Sequence, residues 1–216
     1  MELSRDEIKN ENIRKTAKKL TDMMTSEEKI YQTLNSTPPI ERLGINGYDW
    51  WNEGLHGVAR AGLATVFPQA IGLAATWDET LAEQVADAVS TEARAKYNMQ
   101  QRMDDTGRYK GLTLWAPNIN IFRDPRWGRG HETYGEDPYL TSRMGIRFIE
   151  GLQGHDENYL KSAACVKHFA VHSGPEGLRH EFNAVVSKKD MYDTYLPAFK
   201  ACIQEAHVEA VMGAYN

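Results

Sequence analysis

Cysteine is scarce in this chain of 216 residues, which contains only Cys165 and Cys202. Two cysteines cannot build the disulfide framework of a small secreted domain or a cysteine-rich zinc site. Both lie in apolar segments, so we predict that they are buried free thiols.

Long apolar runs and long basic runs are also missing from the sequence. The apolar stretches are far too short to cross a bilayer, and the first residues lack the apolar core of a secretory signal. The 30 acidic and 25 basic residues give a net charge of −5, which disfavours nucleic-acid binding. We therefore expect no membrane and no nucleic-acid partner. As written the sequence fits a cytoplasmic protein, and it would fit a periplasmic or secreted one if a signal peptide had been removed.

What the chain does contain is an alternation of helical and strand-like segments, which is typical of an α/β protein. Helix-capping signals stand at Thr25, Asp78, Asp137 and Ser187. The predicted helices are 4–24, 26–34, 79–97, 138–152 and a segment after Ser187 that Pro197 interrupts or restarts. The predicted strands are 72–76, 112–116, 161–171 and 209–215.

Loops of unusual polarity follow the predicted strands, as they do in a (β/α)8 barrel, where functional groups lie after the strands. We predict a helical lead-in at 1–39 and the first strands and helices of an incomplete TIM-like barrel at 40–216. The segment 209–215 reads as a buried strand with nothing after it to cover or pair with it. The sequence therefore reads as an N-terminal fragment, for which we expect either a missing C-terminal partner or self-association through exposed strand edges.

The first polar loop combines two indoles, a carboxylate and an imidazole with two glycines, between Asp49 and Gly57. Aromatic faces beside carboxylates suit sugars, because the ring stacks on C–H bonds while the carboxylate accepts from hydroxyl groups. An ordinary pair of core tryptophans with a solvated Glu53 is the competing interpretation.

The second polar loop holds three arginines and one tryptophan within residues 123–129. A guanidinium offers a fixed fork of donors to hydroxyl or carboxylate oxygens. The competing interpretation is an internal ion-pair network with the acidic residues Asp124, Glu132, Glu136 and Asp137. Both interpretations can hold, with some arginines building the loop and one facing a ligand.

The third polar feature is Lys167-His168, at the end of a predicted buried strand, where a charge is costly unless it is paired. Neighbouring residues of a strand point to opposite faces, so we predict a strained or cis non-proline peptide there if both contact one ligand. On a regular strand His168 and His172 would lie about 13 Å apart, at ~3.3 Å per residue, so we predict no metal site.

Taken together, these motifs resemble glycoside hydrolase family 3 from about residue 40 to the end of the chain, in the order of that family. The matching motifs are Asn52-Glu53-Gly54-Leu55-His56-Gly57, Phe67-Pro68-Gln69, Ala116-Pro117, Arg123-Asp124-Pro125-Arg126-Trp127-Gly128-Arg129, Gly135-Glu136-Asp137, Gly151-Leu152-Gln153-Gly154, Lys167-His168-Phe169 and Gly213-Ala214-Tyr215-Asn216.

The resemblance implies a barrel domain of an enzyme that removes single β-linked sugars from the non-reducing ends of oligosaccharides, with retention and without a cofactor. Retention requires a nucleophilic carboxylate and a separate acid/base carboxylate roughly 5–5.5 Å apart. In this family both positions would lie beyond Asn216. We therefore expect no catalytic residue within this chain, which would hold the sugar but not cleave it.

Several site residues follow from the resemblance alone. Glu53 takes the place of the carboxylate that binds the far hydroxyls of the terminal sugar, and Arg129, Lys167 and His168 bind hydroxyls around the same ring. Tyr215 matches a tyrosine that lies beside the nucleophile. Two further roles are our own inferences: Glu132 orients Arg129, and Trp50 or Trp51 forms a wall of the sugar site.

The resemblance also indicates the substrate. Members that act on glucose usually carry Asp where Glu53 stands, and the longer Glu would intrude on the C6 hydroxymethyl group that xylose lacks. We therefore favour β-xylosides over β-glucosides, with α-arabinofuranosides as a side activity. The hexosaminidase branch carries an Asp-Ser-His loop that is absent from residues 171–180, which argues against that activity.

Two other functions compete with a fragment of a β-glycosidase that is inactive alone. One is a non-catalytic carbohydrate-binding module or pseudoenzyme that never had a second half. The other is a complete small hydrolase that pairs Glu53 with Glu132 or Glu136. The strand at the end of the sequence disfavours both.

Overall fold

The computed structural model describes residues 5–172 and 174–215. The chain divides into two compact units, Met1–Asp49 and Trp50–Asn216. Among the helices of the described residues, none is both long enough and apolar enough to span a bilayer.

The first unit begins with two helices, α1 (Arg5–Met23) and α2 (Ser26–Tyr31), and continues with the antiparallel pair β1 (Ser36–Thr37) and β2 (Tyr48–Asp49). The predicted capping box is confirmed, since Thr25 accepts from the backbone of Glu28 and the Glu28 carboxylate accepts from the backbone of Thr25. Helix α2 ends at Tyr31, three residues before the predicted end.

The second unit alternates helices with strands. Its helices are α3 (Ala70–Ala74), α4 (Glu79–Arg102), α5 (Pro138–Gln153), α6 (Lys188–Asp190) and α7 (Pro197–Gln204). Its strands are β3 (Thr113–Leu114), β4 (Ala163–Phe169) and β5 (Ala210–Gly213). A π-helical turn, Met191–Tyr195, separates α6 from α7, so the predicted interruption before Pro197 is confirmed.

The strands of the second unit form a parallel sheet in the order β3-β4-β5. Asn52 adds a parallel bridge to Leu114 on β3. Spatial neighbours therefore follow the order of the chain, as in a section of a (β/α) barrel. This arrangement agrees with the predicted incomplete α/β barrel.

Helices α4 and α5 form the main packed layer against this sheet. Asp78 and Asp137 cap them through the backbone N–H groups of Leu81 and Leu140, as their sequences predict. The helices approach closely at Gly151, where a Cβ atom would lie 2.3 Å from the carbonyl oxygen of Glu83. Only glycine fits this crossing without moving a helix backbone.

Several predicted elements differ from the structure. The predicted strand 72–76 is wrong, because α3 covers most of it and buries Ala70, Leu73 and Ala74 at helical spacing. The two other internal strands are shorter than predicted. The predicted burial of the last strand is also wrong, since β5 alternates between partly buried and exposed residues and Val211 is 45% exposed.

Candidate functional site

Glu53 is placed at the carboxyl end of the sheet by its neighbour Asn52. The buried Asn52 side chain donates to the carbonyl of Thr113 (3.2 Å) and accepts from the backbone N–H of Gly111 (2.7 Å). The Asn52 carbonyl accepts from the backbone of Trp115 (2.8 Å). These bonds fix the segment beside β3, so Glu53 begins the loop just beyond the sheet.

The two tryptophans before Asn52 have different surroundings. The Trp51 indole donates from Nε1 to Glu53 Oε1 (3.1 Å) and stacks on Trp115, with ring centroids 5.0 Å apart. Trp50 is 45% exposed. The competing interpretation of a simple core pair is therefore wrong, because Trp51 holds the Glu53 carboxylate. The role of Trp51 as a wall of the sugar site stays a prediction.

Arg129 and Glu132 form a two-pronged ion pair in the loop after β3. Nε of Arg129 donates to Glu132 Oε1 (2.8 Å), and the terminal guanidinium nitrogen donates to Oε2 (2.6 Å). Burial disfavours both charges, but the mutual hydrogen bonds outweigh it. They raise the pKa of Arg129 and lower the pKa of Glu132. The guanidinium is thus charged and its direction is fixed, the geometry expected of an oriented donor.

The other arginines of this loop build the loop itself. Arg126 pairs with Asp124 (2.8 Å) and Arg123 donates to the hydroxyl of Tyr195 (3.2 Å). The hydrogen bond from Arg126 lowers the pKa of Asp124 to about 2. Asp137 caps α5 instead of joining an arginine network. The interpretation as an internal ion-pair network is therefore confirmed for Arg126 with Asp124 and for Arg129 with Glu132, and the interpretation in which one arginine faces a ligand stays a prediction.

The peptide bond between Lys167 and His168 is cis, which confirms the predicted irregularity at this point of β4. Both residues are buried, with Lys167 5% and His168 6% exposed. Asn120 contacts His168 from the adjacent segment. Its Oδ1 accepts from the backbone N–H of His168 (2.8 Å) and lies 2.9 Å from Nδ1, while its Nδ2 donates to the His168 carbonyl (2.9 Å).

These contacts define the protonation of His168. Burial, together with the positive charges of Lys167 and Arg129, lowers the pKa of His168 to about 2, so the imidazole is neutral at ordinary pH. Because Asn120 Oδ1 can only accept, Nδ1 carries the proton. Nε2 is then an acceptor.

Lys167 carries a costly positive charge inside the site. Burial, and then repulsion from Arg129, lower the pKa of Lys167 to about 8, although Glu132 and Glu53 oppose the shift. The ammonium can only donate hydrogen bonds.

The same electrostatic interactions show which predicted residues come together. The charges of Arg129, Glu132 and Glu53 shift the pKa of Lys167, and the charges of Glu132 and Glu53 shift the pKa of Arg129. Three segments, namely the Glu53 loop, the loop after β3 and the end of β4, thus converge at the carboxyl edge of the sheet, as the barrel rule predicts. Tyr215 is 68% exposed and its ring lies 4.6 Å from the ring of His180, so its place beside a sugar stays a prediction.

One predicted distance is wrong. The rings of His168 and His172 lie 4.6 Å apart instead of about 13 Å, because β4 ends at Phe169 and the chain turns back. Across residues 5–172 and 174–215, no three His, Cys, Asp or Glu side chains group in a way that could hold a metal ion. Cys165 and Cys202 are buried free thiols, as predicted.

The sequence did not point to Glu176 and Arg179, which form an ion pair (3.0 Å) in the loop after β4. The charge of Arg179 helps to lower the pKa of His168, and that of Glu176 helps to raise the pKa of Arg129. The backbone N–H of Glu176 also donates to the carbonyl of Arg126 (3.1 Å), which joins the two loops. The available signal was the spacing of three residues between a carboxylate and a guanidinium.

Comparison with known proteins identifies the family of this chain. Residues 48–216 match the model of the glycosyl hydrolase family 3 N-terminal domain. The chain belongs to glycosyl hydrolase family 3. Its curated relatives include a xylan 1,4-beta-xylosidase of Xylanibacter ruminicola, 50% identical over 213 residues, which cover 96% of this chain and 24% of the relative.

Other family 3 relatives include the beta-xylosidase/alpha-L-arabinofuranosidase 2 of Medicago sativa, 44% identical over 92% of this chain and 27% of the relative. A solved GH3 exo-beta-xylosidase, in complex with a xylobiose aziridine probe, superposes with a TM-score of 0.81 and 35% identity over 91% of this chain and 26% of that one. The DesR beta-glucosidase of Streptomyces venezuelae, in complex with D-glucose, superposes with a TM-score of 0.73 and 28% identity. The match covers 92% of this chain and 24% of that one. The chain spans about a quarter of the length of the curated relatives it matches.

Proposed function

We propose that this chain binds the terminal sugar in a retaining family 3 β-glycosidase that releases β-linked xylose from the non-reducing ends of oligosaccharides. The observation that carries the proposal is the convergence of Glu53, Arg129, Lys167 and His168 at one edge of the sheet. The Glu53 carboxylate and His168 Nε2 accept, while the guanidinium and the ammonium donate. A sugar ring, whose hydroxyls both donate and accept, suits this set.

In this proposal each residue has a defined task. Glu53 accepts from two hydroxyls far from the scissile bond, and Arg129, held by Glu132, donates to the same ring with Lys167. His168 accepts through Nε2, and Tyr215 lies beside the nucleophile. Binding of the non-reacting hydroxyls positions the anomeric carbon. The nucleophile and the acid/base would come from residues beyond Asn216.

The test compares the complete enzyme with the 216-residue chain on p-nitrophenyl β-xyloside and p-nitrophenyl β-glucoside. We expect the complete enzyme to prefer the xyloside and the isolated chain to hydrolyse neither. A complete protein that binds xylose without turnover would instead be a carbohydrate-binding pseudoenzyme. Turnover by the isolated chain would require both catalytic carboxylates within it, with Glu53 and Glu132 or Glu136 as the candidates.

The preference for xylose rests on how firmly Glu53 is held. Trp51 Nε1 bonds one carboxylate oxygen, Trp115 supports the indole, and Arg60 Nε lies 3.8 Å from the other oxygen. A carboxylate fixed in this way cannot swing aside for an additional hydroxymethyl group. One methylene of length in a rigid pocket changes selectivity by roughly 10- to 200-fold.

Replacing Glu53 by Asp in the complete enzyme is therefore expected to raise kcat/KM for the β-glucoside about 10-fold and to lower it for the β-xyloside. The shorter side chain frees the space that the C6 hydroxymethyl group needs. Steady-state kinetics on both substrates measure the ratio, with Glu150→Asp on α5, where Glu150 pairs with Arg147 (2.8 Å), as the matched control. No gain in glucoside activity would count against this view of the pocket.

We also propose that the β5 side of the second unit is covered by a later part of the barrel or, failing that, by another copy of the chain. Val211 on β5 is 45% exposed, and a cavity of about 480 Å³, lined by residues such as Phe169, Tyr192 and Ile203, lies between the end of β4 and α7. We expect the isolated chain to self-associate in sedimentation velocity experiments. A monodisperse monomer that melts cooperatively would contradict this expectation.

A further inference from the structure

The loop that carries Glu53 is closed at its base by backbone hydrogen bonds. The N–H of Ala59 donates to the carbonyl of Glu53 (3.0 Å), and that of Phe67 donates to the carbonyl of His56 (2.9 Å). His56 Nδ1 also lies 2.9 Å from the carbonyl oxygen of Phe67. These bonds leave the tip, residues 60–65, to be positioned by other contacts.

Helix α4 holds that tip from outside the candidate site. Lys96 Nζ donates to the carbonyl oxygens of Ala61 (3.1 Å) and Leu63. One turn earlier on the same face of α4, the Glu92 carboxylate accepts from the backbone N–H of Thr65 (2.9 Å) and from its hydroxyl. A cation therefore binds loop carbonyls and an anion binds a loop amide, as their charges favour.

The tip is built around the Lys96 ammonium. Gly62, between the two bonded carbonyls, has a φ of +80°, and a Cβ atom there would lie 3.9 Å from Nζ. This left-handed conformation favours glycine and directs both flanking carbonyls to the same side. Without the ammonium these carbonyl groups would have to find other donors.

Lys96 and Glu53 both line one crevice below the loop. This narrow crevice of about 10 Å³ is also lined by Gln100, Tyr109 and Lys110. Arg60, at the start of the tip, reaches Glu53 Oε2 (3.8 Å) and lies over the Tyr109 ring, 5.4 Å from its centroid. A movement of the tip would therefore displace Arg60 and change the position of the Glu53 carboxylate.

We propose that Lys96 is a positioning residue that fixes the Glu53 loop from α4 and thereby sets the selectivity for xylose over glucose. The proposal rests on the proposed function, because it assumes that Glu53 binds the terminal sugar. Xylose and glucose differ by one hydroxymethyl group, so a displacement of Glu53 by about 1 Å is enough to change the choice. Lys96 acts only through the loop.

Replacing Lys96 by Met in the complete enzyme tests the proposal. We expect KM for the β-xyloside to rise about 10-fold, kcat to change less than about threefold, and the ratio of xyloside to glucoside kcat/KM to fall about 10-fold. Lys96→Arg keeps a cation that can donate to both carbonyls, so it should return KM and the ratio to within about twofold of the unmodified enzyme.

Lys161→Met is the matched control. Lys161 Nζ donates to the carbonyl oxygen (2.9 Å) and the carboxylate (2.6 Å) of Asp87, which lies on α4 as Lys96 does. Lys161 precedes β4, so this contact lies at the end of the sheet opposite to the candidate site. Its loss should lower the melting temperature without changing KM or the ratio. A Lys96→Met enzyme with unchanged KM and ratio would overturn the proposal, as would a Lys161→Met enzyme that shows the same shifts.

Hydrogen exchange separates a failure of this proposal from a failure of the proposed function. We expect Lys96→Met to increase the exchange of backbone amides 58–67 selectively, whichever glycoside the enzyme hydrolyses. An unmodified enzyme that hydrolyses neither substrate would contradict the proposed function alone. Unchanged exchange in this segment would overturn the positioning role of Lys96.

Discussion

In the complete enzyme, replacing Lys167 by Met is expected to lower kcat/KM for the β-xyloside by roughly 10²- to 10³-fold and, at the same time, to stabilise the fold. The loss of activity is the cost of removing a charged donor from a water-poor site. The gain in stability arises because the buried ammonium costs free energy in the folded protein. A purely structural lysine would not combine these two effects.

The pKa of Lys167 gives the sign and the pH range of both effects. Its fall from 10.5 to about 8 corresponds to roughly 3 kcal/mol of destabilisation while the group is charged in both states. Between pH 8 and 10.5 the unfolded chain binds more protons, so the stability of the unmodified enzyme should rise with pH in that range. Activity should fall over the same range as the ammonium is lost.

Thermal unfolding and steady-state kinetics from pH 6 to 10 measure these effects, with the exposed Lys188→Met as the control. The Lys167→Met enzyme should lack both the rise in stability and the alkaline loss of activity that Lys167 causes. A variant that keeps its activity, or that is destabilised at pH 7, would contradict the assignment of Lys167 as a buried ligand donor.

The second large effect is expected at Glu132. Replacing it by Leu should destabilise the fold by about 3 kcal/mol, because the Arg129 guanidinium would stay buried without its two-pronged partner. The side chains of the pair are only 25% and 16% exposed. Activity on the xyloside should fall about 100-fold, since Arg129 would lose the orientation that its proposed contact with the sugar requires.

A double-mutant cycle separates the two roles of the pair. Arg129→Met combined with Glu132→Leu should recover most of the stability but none of the activity. The exposed pair Lys189–Asp193 provides the control, since Asp193→Leu should cost less than about 1 kcal/mol. If the double variant recovered activity, Arg129 would not bind the sugar.

Helix positions could be predicted from the sequence because their signals are local. Asp78 and Asp137 fix the starts of α4 and α5 through one side-chain hydrogen bond each, whatever the rest of the fold does. The parallel order of the strands also followed from the alternation of elements. The short segment 72–76 was misassigned, because five residues with apolar Leu73, Ala74 and Ala75 at their centre do not distinguish a buried strand from one helical turn.

The candidate site was predictable to the extent that it lies at strand ends. Glu53, Arg129 and Lys167 converge because the carboxyl ends of parallel strands share one edge. The proximity of His168 and His172 was missed because it depends on where β4 ends. The contact of Lys96 with the Glu53 loop joins positions 33 and 35 residues apart, and no spacing rule covers such a distance.

A crystal structure of the complete enzyme with xylose bound would show whether these residues hold the terminal sugar. We predict that the hydroxyls of one xylose ring lie within hydrogen-bond distance of the Glu53 carboxylate, the Arg129 guanidinium, Lys167 Nζ and His168 Nε2. The anomeric carbon should face a carboxylate contributed from beyond Asn216. Xylose bound elsewhere, with these four side chains contacting only one another, would contradict the proposed sugar site.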